Sequence, residues 1–142
     1  SRINDKNVIV YKPEKTKHIL TIFTDTSCPY CQKLHNEVDD LLMNDVEIRY
    51  VLYSRNGNDD DAYSDMVSVW CSNNQKDALN KAFDNDFLKK ESCQNPISDN
   101  ASIARDLKVN GTPMMFMEDG LVIPGYVTTD KIMSILSQNI SR

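Results

Sequence analysis

Two cysteines, Cys28 and Cys31, are the residues of this sequence best suited to chemistry. They lie in the segment TSCPYCQKLH with Pro29 and Tyr30 between them. A Cys-x-x-Cys pair is typical of a redox site, of half a zinc site, or of a small structural bridge. The elements around the pair and the other available ligands decide among these three.

The helix predicted after the pair favours redox chemistry. Pro29 suits the first helical position, because its missing N–H needs no partner there. The helix should begin at Cys28, whose sulfur would then lie near free backbone N–H groups that stabilise a thiolate. Cys31 lies one turn further in and is more shielded. We therefore interpret Cys28 as a nucleophile and Cys31 as a resolving thiol.

A zinc site and a purely structural bridge are the alternatives. Structural zinc has four nitrogen or sulfur ligands, usually in two close pairs, but Cys71 and Cys93 are far apart in the sequence. A bridge from Cys28 to Cys31 alone would close too small a loop to constrain the unfolded chain. We expect no metal and no other cofactor.

The distant pair, Cys71 and Cys93, favours a different role. Cys71 follows Trp70 on an apolar helical face, and Cys93 lies in the polar segment KKESCQNP. Cysteine number alone allows three pairings. A bridge here would close a loop of about 22 residues and contribute about 3.4 kcal/mol in the chain-entropy model. We interpret it as a structural disulfide, typical of an oxidising compartment; two unpaired buried thiols are the alternative.

Composition and charge exclude several functional classes. The chain has 142 residues, of which 40% are hydrophobic, and a net charge of −5. This length suits one domain, and the acidic balance argues against a nucleic-acid partner. No apolar run approaches the ~18 residues of a membrane span, so we expect no membrane insertion.

The elements that must position the pair are predicted on both sides of it. Residues 1–7 are polar and are expected to be a linker or a frayed segment, and Val8–Tyr11 predicts a short strand. His18–Thr24 predicts a central strand covered on both faces, and Val46–Tyr53 a further one. The strand–helix–strand order predicts a right-handed βαβ unit. One apolar face is expected along a single helix at Leu34, Val38, Leu41 and Leu42.

The second half of the chain predicts a helical insert followed by a hairpin. The insert covers roughly residues 60–108, and Ser98 is expected to cap its third helix. Residues 113–127 predict a β-hairpin that turns at Asp119-Gly120, and Thr129 is expected to cap a last helix. The fold class is therefore α/β, with a mixed central sheet, helices on both faces and a helical insert.

Thr112 and Pro113 join the candidate site from the start of this hairpin. A proline at the first residue of a strand is ordinarily an edge marker. Here the sheet could pass close to the helix of the cysteine pair, where a cis bond would expose the Thr112 backbone to an incoming peptide.

These motifs together resemble a known family. The segments that carry the resemblance are VIVYK, FTDTSCPYCQKLH, IRYVLYSRNG, VWC, SC, NGTPMMF and GLVIPGY. In order and spacing they are similar to the catalytic domain of the bacterial periplasmic disulfide isomerases DsbC and DsbG. The chain as a whole is more similar to DsbC, whereas Pro29-Tyr30 is more like DsbG. The resemblance implies a thioredoxin-like fold over residues 8–142 and a periplasmic thiol–disulfide oxidoreductase or isomerase.

The resemblance also implies roles for individual residues. Cys28 would be the attacking thiol and Cys31 the resolving thiol. Thr112-Pro113 would be the cis-proline loop beside them, with a substrate-binding role, and Cys71–Cys93 the structural bridge.

Polar neighbours of the pair are not assigned to catalysis. Thioredoxin has a buried acid six residues before its first active-site cysteine, and Ile22 occupies that position here. Asp25 is nearer, and we expect a solvated turn residue or cap rather than a proton shuttle. His35 is expected to be partly exposed, and it could tune the pair only if it were charged.

The partners implied are misfolded or incompletely oxidised proteins and a membrane reductase of the DsbD type. The family has an N-terminal dimerisation domain and a linker ahead of this region, and Ser1 would lie within or just after that linker. This chain would then be an excised domain or a natural single-domain relative. We expect it to be monomeric and the full-length form to be a homodimer. The alternative functions are a chaperone-like peptide-binding module and a small zinc-binding protein.

Overall fold

A computed structural model describes residues 3–58 and 60–140 of the chain. It contains five strands: β1 Ile9–Tyr11, β2 His18–Thr24, β3 Val46–Leu52, β4 Met114–Met117 and β5 Val122–Pro124. They form one mixed sheet in the order β1-β3-β2-β4-β5. Strands β2 and β3 are parallel, and the other three pairings are antiparallel. The second strand is therefore central, as predicted, and its carboxyl end leads to the cysteine pair.

The central strand is covered on one face along its length and on the other face only at its carboxyl end, since Ile19 and Thr21 are half-buried. Leu20 and Ile22 face one core and Phe23 faces the other, and all three are 0% exposed. The residues directly after the strand, Asp25 and Thr26, are buried as well.

Helices cover both faces of the sheet, as predicted. They are α1 Pro29–His35, α2 Val38–Met43, α3 Asp61–Cys71, α4 Gln75–Phe83, α5 Ile97–Asp106 and α6 Thr129–Ile140. The core that contains Leu20 receives side chains from all six helices, whereas the core around Phe23 is completed by α5. Three of the helices, α3 to α5, lie between β3 and β4. Within the described residues, every helix is too short or too polar to cross a membrane.

The helix after the cysteines is divided, which corrects the prediction of one continuous helix. The Glu37 N–H bonds to the Leu34 carbonyl three residues back, at 2.9 Å, and this tighter turn ends α1. The Glu37 carboxylate accepts the backbone N–H and the hydroxyl of Thr129 at 2.7 and 2.8 Å. The junction between α1 and α2 is thereby fixed to the start of α6.

Two predicted helix caps are wrong by one residue or more. Ser98 lies inside the first turn of α5, and the Asn95 side chain accepts the Ile97 N–H at 3.1 Å instead. Thr129 is the first residue of α6, and the hydroxyl of Thr128 accepts a backbone N–H of the first turn at 3.3 Å. In both cases a neighbouring polar side chain takes the capping role.

Residues 3–7 contact the domain, which corrects the expectation of a frayed segment for this part. Asp5–Asn7 form a short 3-10 turn, and the Asp5 carboxylate accepts the Arg49 guanidinium at 2.9 Å. Ile3 packs against the core that contains Val8. Residues 1 and 2 of the predicted segment lie outside the described residues.

Candidate active site

The cysteine pair lies at the start of α1, four residues beyond the carboxyl end of β2. Cys28 has an extended backbone and precedes the helix, and Pro29 is its first residue, as predicted. The Cys28 N–H bonds to the Asp25 carbonyl at 3.0 Å. The backbone N–H of Cys31, in the first turn of the helix, bonds to the Cys28 sulfur, which therefore lies at the helix start.

Both thiols of the pair are free and buried. Cys28 is 4% exposed and Cys31 is 1% exposed. The Cys28 thiol donates to the Thr112 carbonyl at 3.4 Å, and the bond between Thr112 and Pro113 is cis. Cys28 and Cys31 lie 81 to 85 positions before Thr112 and Pro113 in the sequence. The structure brings the two groups together because β4 lies directly beside β2.

Tyr30, between the two cysteines, points to solvent. Its side chain is 57% exposed, although tyrosine is a large aromatic residue. The Lys33 ammonium lies 5.3 Å from the centre of its ring, within the range of a cation–π contact. Tyr30 therefore offers aromatic surface next to the buried thiols.

The surroundings of Cys28 favour its thiolate. Burial alone would raise the pKa of this thiol, but hydrogen bonding from Thr112 and Cys31 and the positive charge of Arg55 outweigh it, and the pKa is lowered. Hydrogen bonds to the charged form and an opposite charge nearby are the effects expected to lower the pKa of an acid. Cys28 is therefore a more acidic thiol than an ordinary cysteine.

The surroundings of Cys31 have the opposite effect. Burial raises the pKa of Cys31 to about 11, and the negative charge of Cys28 adds to the rise. Hydrogen bonding from Thr24, from the Asp25 backbone and from Thr112 offsets only part of it. Cys28 therefore loses its proton more readily than Cys31.

Two buried hydroxyls lie beside these sulfurs. Oγ1 of Thr24 and Oγ1 of Thr112 are buried. Within residues 3–58 and 60–140, neither has a hydrogen bond of good geometry, although each is close enough to a sulfur to lower the pKa of that thiol. Buried polar groups in native proteins are almost always paired. An unpaired hydroxyl next to a thiol can therefore donate a hydrogen bond to the sulfur when the thiol loses its proton. Thr24 was not predicted from the sequence, because its only signal was its place at the end of the central strand.

Asp25 is not the solvated turn residue that the sequence predicted. It is 0% exposed. One carboxylate oxygen accepts the N–H and hydroxyl of Ser27 at 2.9 and 2.7 Å. The other accepts the N–H and Nε of Arg55 at 3.0 and 3.1 Å. The turn itself was predicted correctly, but the residues after β3 cover it, and no local pattern linked Asp25 to Arg55.

His35 is held in place by hydrogen bonds and does not tune the pair through charge. Its Nδ1 lies 2.8 Å from the Tyr50 hydroxyl, and its Nε2 lies 2.6 Å from Oδ1 of Asn80. The ring stacks on Phe83 with 4.6 Å between ring centres. Burial, the largest effect, lowers the pKa of His35. The imidazole is therefore neutral near pH 7.

The second pair of cysteines forms a disulfide away from this site. Cys71 and Cys93 are joined by an S–S bond of 1.98 Å with 5.7 Å between their Cα atoms. The bond connects the end of α3 to the segment before α5. These two sulfurs are therefore not ligands that could complete a zinc site with the first pair. In the described part of the chain, no group of three or more His, Cys, Asp or Glu residues could hold a metal ion.

Comparison with known proteins agrees with this geometry. The chain matches the thioredoxin-like domain family over residues 5–140. It is 35% identical over 135 residues to the thiol:disulfide interchange protein DsbC of Salmonella typhimurium, and 34% identical over 139 residues to that of Escherichia coli. In both cases the match covers 95% of this chain and 57% of the relative. The chain thus spans little more than half the length of these curated relatives.

A solved structure agrees in fold. The disulfide interchange protein of Neisseria gonorrhoeae superposes with a TM-score of 0.81 at 22% identity, over 96% of this chain and 98% of that one. The thioredoxin-like fold implied by the sequence motifs is therefore confirmed, and so is the similarity to DsbC. By sequence and by fold, the chain belongs to the family of thioredoxin-like domains.

Proposed function

We propose that this chain is the catalytic part of a thiol–disulfide oxidoreductase or isomerase that acts on disulfides of secreted or periplasmic proteins. The observation that carries the proposal is a pair of free thiols at the start of α1, beside the Thr112 carbonyl, with the pKa of Cys28 lowered and that of Cys31 raised. Disulfide exchange begins with the attack of one thiolate, and a second thiol nearby can then resolve the mixed disulfide. The similarity to thiol:disulfide interchange proteins over 95% of the chain supports the same activity.

In the first step, the Cys28 thiolate attacks one sulfur of a substrate disulfide. A bond forms between Cys28 and that sulfur, the substrate bond breaks, and the second substrate sulfur leaves as a thiolate. The product is a mixed disulfide, and no electrons are gained or lost overall. A lowered pKa increases the fraction of the attacking form and also makes Cys28 a better leaving group later.

In the second step, one of two thiolates resolves the mixed disulfide. If Cys31 loses its proton and attacks the Cys28 sulfur, the bond between Cys28 and the substrate breaks and the substrate sulfur leaves as a thiolate. The protein dithiol has then lost two electrons, and the substrate disulfide has gained them as a dithiol. If another substrate thiolate attacks the substrate sulfur, Cys28 leaves as a thiolate and the substrate disulfide is rearranged without net oxidation. The raised pKa of Cys31 slows the first outcome, which leaves time for the second and favours isomerisation.

The four residues around the pair are assigned to the redox motif and to substrate contact. Thr112 and Pro113 lie directly beside Cys28, so a peptide that reaches the sulfur also reaches their backbone. Tyr30 supplies exposed aromatic surface, and Pro29 fixes the start of the helix. We assign Pro29 and Tyr30 to the redox motif and Thr112 and Pro113 to substrate contact.

We further propose that the protein works in the periplasm on misfolded or incompletely oxidised proteins. The Cys71–Cys93 disulfide supports an oxidising compartment. A membrane reductase of the DsbD type would return the pair to its dithiol form. We propose a monomer for this chain and a homodimer for a full-length form, and sedimentation of each tests both.

Comparing the exchange activity of the reduced and the alkylated protein distinguishes this function from that of a chaperone-like peptide-binding module. The reduced chain, its Cys28→Ser variant and the chain alkylated with iodoacetamide are each mixed with a scrambled multi-disulfide protein. We expect exchange from the reduced chain only. A binding module would bind unfolded peptide equally after alkylation and would show no exchange in any of the three samples, which would contradict the proposal.

A further inference from the structure

A buried ion pair lies next to the cysteine pair, and the exchange steps described above do not use it. The Asp25 carboxylate is fully buried and accepts four hydrogen bonds, two from Ser27 and two from Arg55. The Cys28 N–H bonds to the Asp25 carbonyl, so the same turn carries the ion pair and the nucleophile.

Arg55 is fixed at three points. Its backbone N–H and its Nε donate to Asp25 at 3.0 and 3.1 Å, and its Nη2 donates to the Ser27 hydroxyl at 3.4 Å. The two loops involved follow the parallel strands β2 and β3, and they are joined again where the Tyr53 N–H bonds to the Thr24 carbonyl at 2.9 Å. The guanidinium therefore has a defined position although its side chain is 35% exposed.

Arg55 reaches the residue directly before Cys28, since its Nη2 lies 3.4 Å from the Ser27 hydroxyl, and the charges of Arg55 and Cys28 act on each other. The charge of Arg55 contributes to the lowered pKa of Cys28. Burial alone would lower the pKa of Arg55, but the hydrogen bond and charge of Asp25, together with the negative charges of Cys28 and Cys31, raise it. Within residues 3–58 and 60–140, Arg55 and Cys31 are the titratable groups that shift the pKa of Cys28, while the Asp25 carboxylate accepts hydrogen bonds from Ser27 and Arg55.

We propose that Arg55 is a fixed cation that stabilises the Cys28 thiolate, and that Asp25 is the positioning residue that holds its guanidinium beside the pair. The proposal rests on the proposed function and explains part of it. A guanidinium stays charged at every pH at which a thiol titrates, so its effect is constant over the working range. Asp25 acts through position, since both of its carboxylate oxygens accept hydrogen bonds from Ser27 and Arg55.

Alkylation of Cys28 with iodoacetamide, an uncharged reagent, tests the proposal. Arg55→Gln removes the charge, Arg55→Lys keeps it, and Arg105→Gln removes an equal charge from a residue of α5 that does not act on the pair. We expect Arg55→Gln to move the thiolate titration to higher pH and to slow alkylation at pH 6 by about threefold to tenfold. Arg55→Lys should recover most of the rate, and Arg105→Gln should not change it.

A second variant guards against misfolding. Arg55→Gln leaves the buried Asp25 charge uncompensated, which can destabilise the fold, whereas Asp25→Asn combined with Arg55→Gln preserves both shapes without charge. This double variant should show the same shift. In the wild type, raising NaCl to about 1 M should slow alkylation at pH 6, because salt screens a partly exposed charge, and the salt effect should disappear in Arg55→Gln.

The outcomes separate this inference from the proposed function. A folded double variant whose Cys28 titrates as in the wild type, with the same salt effect, would overturn the role of Arg55 and leave the exchange function standing. A wild-type Cys28 that is no more acidic than a free cysteine would instead contradict the proposed function itself.

Discussion

Cys28 and Cys31 are almost fully buried, whereas Cys71 is half-buried and Cys93 is exposed. If burial alone set reactivity, the first pair would be inert and the second would be the reactive one. The first pair is nevertheless the one surrounded by groups that stabilise a thiolate: a helix start, unpaired hydroxyls and a fixed guanidinium. The comparison teaches that the reactive site is defined by what its surroundings offer to a charged sulfur.

The two pairs also differ in how strongly a disulfide within each pair restricts the unfolded chain. A bond from Cys28 to Cys31 spans three residues and hardly restricts the unfolded state. The Cys71–Cys93 bond spans 22 residues and restricts it strongly. The first pair can therefore open and close with little effect on the fold, whereas the second contributes to stability.

The largest effect is expected from removing single thiols of the first pair. Cys28→Ala should reduce exchange to the background rate and form no mixed disulfides, because the attacking sulfur is gone. Cys31→Ala should accumulate mixed disulfides with substrate, because the resolving thiol is gone. Non-reducing electrophoresis with a scrambled protein measures both. Equal trapping by the two variants would show that the roles are not divided in this way.

The next effect concerns the second pair. Cys71→Ala combined with Cys93→Ala should lower the free energy of unfolding by about 3 kcal/mol, while the folded fraction keeps its exchange rate. Urea unfolding and an exchange assay on the same samples measure the two quantities. Loss of exchange in a fully folded double variant would mean that the second pair belongs to the active site.

A smaller effect is expected in alkaline solution. The pKa of Cys31 is raised from about 8.5 in an unfolded chain to about 11 in the fold. The stabilisation from its proton is therefore complete below about pH 8.5 and is lost as the pH rises towards 11. The reduced protein should lose stability across this window.

Cys31→Ser is the control for this pH dependence. It removes the titrating thiol but keeps the tyrosines that titrate at high pH, such as the half-buried Tyr11, whose pKa is raised to about 12 by burial and by the charge of Asp39. Denaturant unfolding at several pH values should show a shallower alkaline loss in Cys31→Ser. Identical curves for the two proteins would contradict the raised pKa of Cys31.

The smallest effect is expected from Thr24. Its unpaired hydroxyl can donate to Cys31 as that sulfur becomes charged, so Thr24→Val should slow release of a mixed disulfide by about fivefold, which corresponds to one hydrogen bond of about 1 kcal/mol. Thr24→Ser should restore the rate. Single-turnover kinetics measure release, and an unchanged rate in a folded Thr24→Val would exclude this contact.

The fold and the cysteine pair could be predicted because their signals are local. An apolar strand, a proline at a helix start and the Asp119-Gly120 turn each depend on a few neighbouring residues. The break between α1 and α2 could not be predicted, since it depends on a contact between Glu37 and Thr129, which are 92 positions apart. The contact of Asp25 with Arg55 likewise forms because β2 and β3 are parallel, so that the loops after them lie side by side. Local sequence patterns carry no information about it.

The central claim is that Cys28 is the one acidic thiol of the pair, and its titration tests this most directly. Thiolate absorbance of the reduced protein is measured against pH, with Cys31→Ala and Cys28→Ala as companions that assign each transition. We expect the Cys28 transition below the ordinary cysteine value of about 8.5 and the Cys31 transition well above it. A Cys28 transition at or above about 8.5 would contradict the account.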